Sequence, residues 1–543
     1  MSYVILVPFA GDGSGVGELT WGQLAIWRSM WATGMSLSLG GVQPLPPGVT
    51  VDDAVAALVF MMERHQSLRT RLELGPDGSA RQSVSASGEV PLEVVDVPDD
   101  ADPAAAAAIA AAVCDRYLGQ NFDYCHEWPI RTAVVRHRGQ ATHSVAAYSH
   151  LAVDAHGLYA LMADLLTAGP LAAPNGPPPP VTALQPLEQA QRQRTPAARQ
   201  QSNASLRYWE SILRSIEPRR FTESTDKREP RYWELRYTSP AAHLAALSIA
   251  ARNRVGTGPV LLAAFAIALA RVTGINPVVV QTAISNRFRP GLADSVSPLT
   301  QSSLCVLDVA DCTFDEVATQ AGRASLRAAR HAYYDPVACD ELIAQVSRER
   351  GIPIDVDCHF NDRRRPAEQM RVRSAPDAAT GPGTAGPSAT GPAAARPDAA
   401  DAAAAAITLP LAAPNPAKPI LTDLLNATPA RLANPTPTDL ANPILADPAN
   451  PTPEDLAAAR ALSFLRWEKK LERYDHELCF HINDAPGTVD FTLCADTHCL
   501  SPGDAERIAH EFEEILVAAA LSPDAATGVR DCDAATGTED CMV

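Results

Sequence analysis

Across residues 1–180 the apolar positions switch between a strand-type and a helix-type period. Residues 4–9 form a dense apolar run that predicts a strand. Residues 19–30 follow helical spacing, and Thr20 stands where a capping hydroxyl belongs. Residues 51–65 repeat that spacing, with Asp52 and Asp53 in the first turn, where acidic side chains complement the helix dipole. Residues 92–97 and 131–136 predict strands, and the Ala-rich stretch 104–116 predicts a helix. A strand over 144–150 then delivers His150 to its end, and a helix over 156–166 follows.

A Pro-rich stretch at 170–200, with four consecutive prolines at 177–180, predicts an extended connection. Beyond it the alternation resumes: helix over 205–216, strand over 232–237, strongly apolar helix over 259–272 and buried strand over 278–284. The repeated order suggests two similar α/β lobes. Residues 364–460 differ in kind, being rich in Ala, Pro, Thr and Asn and carrying a nearly repeated Ala-Asn-Pro-Thr-Pro unit at 433 and 449. So few aromatic and β-branched residues predict a loose insertion, not a core. Folded sequence is expected again from Ala461, with a strand over 491–494 and a closing helix over 503–519. The expected division is a first lobe (1–180), a crossing (181–204), a second lobe (205–363 and 461–520), the insertion (364–460) and a loose tail (521–543).

Composition narrows the partners. The chain has 543 residues, is 46% apolar and carries a formal charge of −18, which disfavours nucleic acid and anionic membranes as partners. Eleven cysteines without a C-x-x-C pattern do not suggest a disulfide framework or a zinc site, although Cys532 and Cys541 could pair in the tail. The start of the chain lacks the basic leader of a signal peptide, and no window of about 20 apolar residues predicts a membrane span. The cytoplasm is therefore the expected compartment.

The candidate chemistry centres on His150 and Asp154. An imidazole at a strand end can take or orient a proton of an attacking group. A carboxylate four residues later can fix the loop or the ring. The pattern H-x-x-x-D is common by chance, and most instances are structural. Other signals carry less. The glycine-rich run at 11–17 lacks the Lys-Ser/Thr of a phosphate loop and is expected to be a connecting loop. Leu39-Gly40-Gly41-Val42-Gln43 has no serine to carry a phosphopantetheine. Cys125-His126 and Cys494 with Cys499 match no common zinc spacing. Ser149, His150 and Asp154 lie too close along one loop for a serine-triad relay. Trp21 and Trp27 are expected in the core.

In its order of motifs the sequence resembles the condensation-domain superfamily of nonribosomal peptide synthesis. Leu19–Trp27 is similar to an S-x-A-Q-x-x-L-W helix, Arg64-His65-Gln66-Ser67-Leu68-Arg69-Thr70 to R-H-E-x-L-R-T, and Ser149 to Ala155 to H-H-x-x-x-D-G. Residues 261–274 resemble the long helix of the second lobe, Ser285-Asn286-Arg287 the G-R element, His331 to Pro336 the H-x-D-x-P-F-E segment, and residues 490–516 the last strand and helix.

The resemblance implies an α/β fold of two chloramphenicol-acetyltransferase-like lobes in a V-shaped pseudo-dimer with a central tunnel. It implies that His150 assists an amine attacking a carrier-bound thioester, that Asp154 is structural and paired with Arg287, and that Gln301 and Ser302 line the tunnel. Ser149 replaces the first motif histidine and can still donate a hydrogen bond. Ala155 replaces a glycine and lacks its freedom at positive φ, which suggests a different turn. His156 is placed to fill part of the site or to face solvent. The expected protein is a free-standing condensation enzyme that forms an amide, with an ester as the second choice. It binds no cofactor or metal. Its partners are a separate acyl or peptidyl carrier protein, whose phosphopantetheine holds the substrate, and an amine acceptor. Two alternatives stand beside this: a degenerate domain that recruits a carrier or tailoring enzyme, and a coenzyme A-dependent O-acyltransferase.

Overall fold

The computed structural model describes residues 2–170, 178–364 and 450–530, apart from Asp77, Thr222, Glu223, Thr225 and Ala525. In chain order the first lobe contains β1 (Ser2–Ala10), β2 (Gly15–Glu18), α1 (Trp21–Thr33), β3 (Ser38–Pro44), α2 (Val51–Arg64), β4 (Thr70–Leu74), β5 (Ala80–Val84), β6 (Ser87–Val97), α3 (Pro103–Leu118), β7 (Ile130–His137), β8 (Gln140–Ser149) and α4 (Ala155–Ala168). Two helices, α5 (Pro186–Gln193) and α6 (Pro196–Leu213), lead into the second lobe. It contains β9 (Tyr232–Ser239), α7 (Pro240–Asn253), α8 (Thr257–Thr273), β10 (Val278–Ile284), β11 (Gln301–Leu307), α9 (Phe314–Arg330), α10 (Pro336–Arg350) and β12 (Cys358–Asp362). After the insertion come α11 (Pro453–Arg460), β13 (Phe464–Leu471), β14 (Leu478–Asn483), β15 (Val489–Asp496) and α12 (Pro502–Leu521).

The first lobe is built on a five-stranded sheet in the order β1-β6-β7-β8-β3, with β6 and β7 parallel. Strand β7 explains why its sequence is almost continuously apolar. Ile130 and Val134 point into the core with Leu58, Met62 and Leu161, whereas Ala133 and Val135 pack under Ala106 and Ala110 of α3. A strand covered on both faces needs apolar residues at successive positions, not alternating ones. A small second sheet, β2-β5-β4, lies beside it. The second lobe has a seven-stranded sheet in the order β11-β10-β12-β14-β15-β9-β13. One face carries the largest core, in which every residue from Val260 to Ala268 of α8 is fully or almost fully buried. Helices α7, α9 and α12 enclose α8, which is why it is apolar all round. Among the described residues no single helix is long and apolar enough to cross a membrane; the apolar pair α7 and α8 is bent by 112°.

Three stretches are more ordered than their sequences suggest. The crossing is helical from Pro186 and again from Pro196, instead of extended. Both prolines occupy the first helical turn, where a missing N–H costs nothing, and Thr195 caps the second helix. Residues 453–460 form α11, with a capping box between Thr452 and Asp455 and with Leu456 buried in the core, so the loose insertion does not extend to 460. The rest of the insertion, 365–449, lies outside the described residues. The tail is tied down as far as residue 530: Thr527 is buried, and its hydroxyl donates to the Val309 carbonyl over 2.7 Å. Cys532 and Cys541 lie outside the described residues, and no disulfide links the described cysteines.

Close approach holds the lobes together. A Cβ on Gly22 of α1 would lie 2.0 Å from the Pro298 carbonyl oxygen. One residue earlier, the Trp21 ring meets Tyr333 edge-on at 4.9 Å, and the Trp21 N–H donates to Gln193 over 2.9 Å. The substitution Gly22→Ala therefore forces α1 and the 298–299 backbone apart. Urea unfolding should show a loss of about 1–3 kcal/mol, and an unchanged midpoint would contradict the close approach.

Candidate active site

Strand β8 pairs with β7 on one side and β3 on the other, so its end is held rigidly. His150 is the first residue beyond that end, and its N–H donates to the Leu37 carbonyl over 2.8 Å. The loop turns at once: the Ala152 N–H donates to the Ser149 carbonyl over 2.9 Å, and the Leu151 N–H to the Ser149 hydroxyl over 3.3 Å. Ser149 is completely buried. It also borders a small pocket formed with Gln23, Thr70, Leu72, Tyr124 and Ala152.

Asp154 ends the loop and caps α4, accepting from the Gly157 N–H over 2.7 Å. Its other oxygen accepts from Arg287 over 3.0 Å, from the Leu299 and Thr300 N–H groups over 2.9 and 3.0 Å, and from the Thr300 hydroxyl over 2.8 Å. Arg287 also reaches Asp154 Oδ1 at 2.8 Å and donates to the Ser295 and Ser297 carbonyls, both over 3.1 Å. Leu299, Thr300 and Arg287 all belong to the second lobe. The two lobes are thus cross-linked directly behind His150. Burial alone would raise the Asp154 carboxyl, but the Arg287 charge and these hydrogen bonds outweigh it and hold the carboxyl at about 2.

The other candidates fall into different places. Ala155 is the first residue of α4 and has helical backbone, so no positive φ is needed there and the alanine does not alter the turn. Gly157 is the position that requires a missing side chain: a Cβ would meet Arg287 Nη2 and Val153 Cγ2, each at 2.9 Å. His156 is half-buried in the first turn of α4, edge-on to Tyr159 at 6.1 Å. Gln301 is buried and binds both sides of the Tyr334 backbone, donating over 2.9 Å and accepting over 3.4 Å. Its amide is therefore committed to structure. Ser302 is half-buried, and its carbonyl accepts from the Tyr334 hydroxyl over 2.8 Å.

Burial pushes the His150 imidazole below its ordinary value; the Asp154 charge opposes this, and the positive charge of Arg363 reinforces it. That direction favours the neutral form of the ring.

The R-H-Q-S-L-R-T stretch proves to be a brace. Arg64 and His65 both hold Asp164 of α4, at 2.8 and 3.1 Å. Arg69 is fully buried and donates to the carbonyls of Asp12, Gly13 and Ser85. The glycine-rich run is thereby pinned and continues into β2 instead of remaining a plain loop. Leu39 to Gln43 lie within β3. His126 is exposed and paired with Asp123 at 3.1 Å, and Cys494 is buried.

One grouping had no signal in the sequence. Asp357, His359 and His476 bring potential metal-ligand atoms within 4.8 Å of one another on the second-lobe sheet. More than 100 residues separate His359 from His476, so no local spacing announces the cluster.

Residues 45–358 match the family model of the condensation domain. The chain belongs to the condensation-domain family. Among curated proteins it is 27% identical to the AMB antimetabolite synthetase AmbB of Pseudomonas aeruginosa, covering 62% of this chain and 27% of that one. It is 28% identical to the phosphinothricin tripeptide synthetase PhsC of Streptomyces viridochromogenes, covering 53% of this chain and 27% of that one. The chain therefore spans about a quarter of the length of these relatives. Among solved structures, the SgcC5 protein of Streptomyces globisporus matches with a TM-score of 0.62 at 16% identity, over 94% of this chain and 100% of that one. The X-domain in its complex with OxyB from teicoplanin biosynthesis matches with a TM-score of 0.60 at 17% identity, over 96% and 97%. These likenesses show the same two-lobed α/β fold.

Asp154→Asn keeps the shape of the side chain but leaves Arg287 buried without its counter-charge. It should lower the unfolding free energy by about 3–5 kcal/mol. Because the folded carboxyl is depressed, its contribution is present above the unfolded carboxylate range and fades as pH falls toward about 2. Urea unfolding across the acid range should show wild type and variant converging; a constant difference would contradict the ion pair.

Proposed function

We propose that this chain catalyses condensation in natural-product biosynthesis. The reaction joins an amine to an acyl or aminoacyl thioester held on the phosphopantetheine arm of a carrier protein, and gives an amide. The observation that supports this most directly is the place of His150, at the end of a strand paired on both sides and beside the Asp154–Arg287 link between the lobes, where burial lowers the imidazole's affinity for a proton. The amine nitrogen forms a bond to the thioester carbon, and the C–S bond breaks to release the thiol. His150 takes the proton that the nitrogen loses and returns it to the departing sulfur. Most of the acceleration comes from holding amine and thioester in line; proton transfer contributes a further factor of about 10²–10⁴. The residues place no demand on a metal or nucleotide for this step.

A second reading rests on Ser149. A buried serine whose hydroxyl accepts from the Leu151 N–H supplies no imidazole next to His150. A structural neighbour is an X-domain in complex with OxyB. In this reading the same scaffold recruits a carrier or tailoring enzyme and performs no chemistry.

His150→Ala separates the two. With carrier-bound thioesters and a panel of amines, the variant should lose about 10²–10⁴-fold in product formation with an unchanged circular dichroism spectrum. Turnover equal to wild type would remove His150 from the mechanism. Partner binding without turnover by either protein would favour recruitment. Alcohols and coenzyme A thioesters in the same panel test O-acyl transfer from coenzyme A.

The pH profile is an independent check. Since the imidazole lies below its ordinary value of 6.5, activity should persist on the acid side of that value and fall only below it. An acid limb centred above 6.5 would be incompatible with His150 as the base.

A further inference from the structure

We propose that Asp357, His359 and His476 form a binding site for a divalent transition-metal ion of the Zn²⁺ type, separate from His150. Asp357 and His359 stand at the start of β12, and His476 lies just before β14, the parallel neighbour of β12. Asp357 Oδ1 is 2.9 Å from both His359 Nε2 and His476 Nδ1. The two imidazole rings stack with their centres 3.7 Å apart. Two nitrogens and a carboxylate oxygen thus converge on one point, all three within 4.8 Å of one another, from the start of β12 and the segment that leads into β14.

The donor set suits zinc, whose common ligands are imidazole nitrogen and carboxylate oxygen. Three protein ligands leave room for water at a fourth position. The groups behind the ligands have the arrangement a metal requires. The second nitrogen of His476 faces Asp475 Oδ2 at 3.5 Å, and a carboxylate behind a ligating imidazole fixes its orientation and raises its basicity. The Glu477 N–H donates to Asp357 Oδ2 over 3.0 Å and aims the other oxygen at the histidines. His359 Nε2 also faces the Gln281 amide nitrogen at 3.3 Å. That nitrogen thus lies between a carboxylate that needs a proton from it and an amide that needs its lone pair. A metal ion uses the lone pair and removes the conflict, because the Gln281 amide already donates to the Val356 carbonyl over 3.0 Å.

The site has a structural consequence. Asp475, behind His476, accepts from the Ser29 hydroxyl of α1 over 2.7 Å. An ion at His476 therefore braces a loop segment that carries both a ligand and a contact with the first lobe.

The test uses the full chain without a polyhistidine tag, stripped with a chelator and titrated with Zn²⁺ by calorimetry. One tight equivalent is expected, together with a thermal midpoint that rises with Zn²⁺. Asp357→Asn, His359→Ala and His476→Ala should each weaken binding at least tenfold, and Asp475→Asn, which keeps all three ligands, about tenfold. His126→Ala, at the exposed His–Asp pair elsewhere on the surface, should change nothing. Substituting Co²⁺ gives a readout on the wild type alone: the intense visible bands of a low-coordinate, nitrogen-ligated ion are expected. Zn²⁺ affinity unchanged in the three ligand variants, no tight equivalent in the wild type, or the weak spectrum of hydrated Co²⁺ would each overturn the assignment.

Discussion

The ion pair between Asp154 and Arg287 is the constraint on which the rest of the site depends. Two charged groups that are almost wholly removed from water are tolerated only when every oxygen and most N–H groups find partners. Here the carboxylate accepts from both Arg287 nitrogens, from two backbone N–H groups of the opposite lobe and from the N-terminus of its own helix. Such a pair adds little net stability over an apolar contact of the same shape. What it adds is geometry: it sets the 299–300 backbone against the end of the His150 loop. The imidazole is placed by this docking as much as by the strand that precedes it.

The same device recurs away from the site. Arg64 and His65 grip Asp164 to hold α2 against α4, and Arg69 gathers three carbonyls from two loops. In the second lobe the buried Glu513 accepts from Tyr237 over 2.9 Å and from Ser239 and Ser463, and it pairs with Arg460 at 3.3 Å. That carboxylate joins α12 to β9 and to the helix that closes the insertion. Polar residues that stand out in the sequence are thus often braces between elements. His150 differs from them in having a ring whose charge is suppressed and whose side chain is not spent on a cross-link.

Much of the fold was legible. The apolar periods located α2, α8, β7 and β10 within a residue or two of their observed limits and α1 within three, because each buries a stripe or a face against a core. The Thr20 cap and the strand ending at His150 were also legible, since both depend on local chemistry. The misread stretches share a cause. The Pro-rich crossing predicts extended chain, yet Pro186 and Pro196 each open a helix, as Pro453 does at the end of the insertion. Proline fixes only its own φ, and that value suits a first helical turn as well as a polyproline segment. Ala155 was misjudged because a motif glycine is not always a positive-φ glycine; the close contact falls instead at Gly157.

By itself the sequence determined the two-lobed α/β plan, the family and the position of the loop that carries His150. These follow from periodicity and from motif order, which are properties of the chain in one dimension. Only the tertiary structure decided which polar groups meet. It turned Gln301 toward the Tyr334 backbone and buried Ser149 in the turn, whereas the pairing of Arg287 with Asp154, 133 residues apart, was already implied by the order of motifs. It also brought His476 to Asp357 and His359. The reason is physical: burial and hydrogen-bond direction are set by packing between distant strands, and no local spacing encodes them.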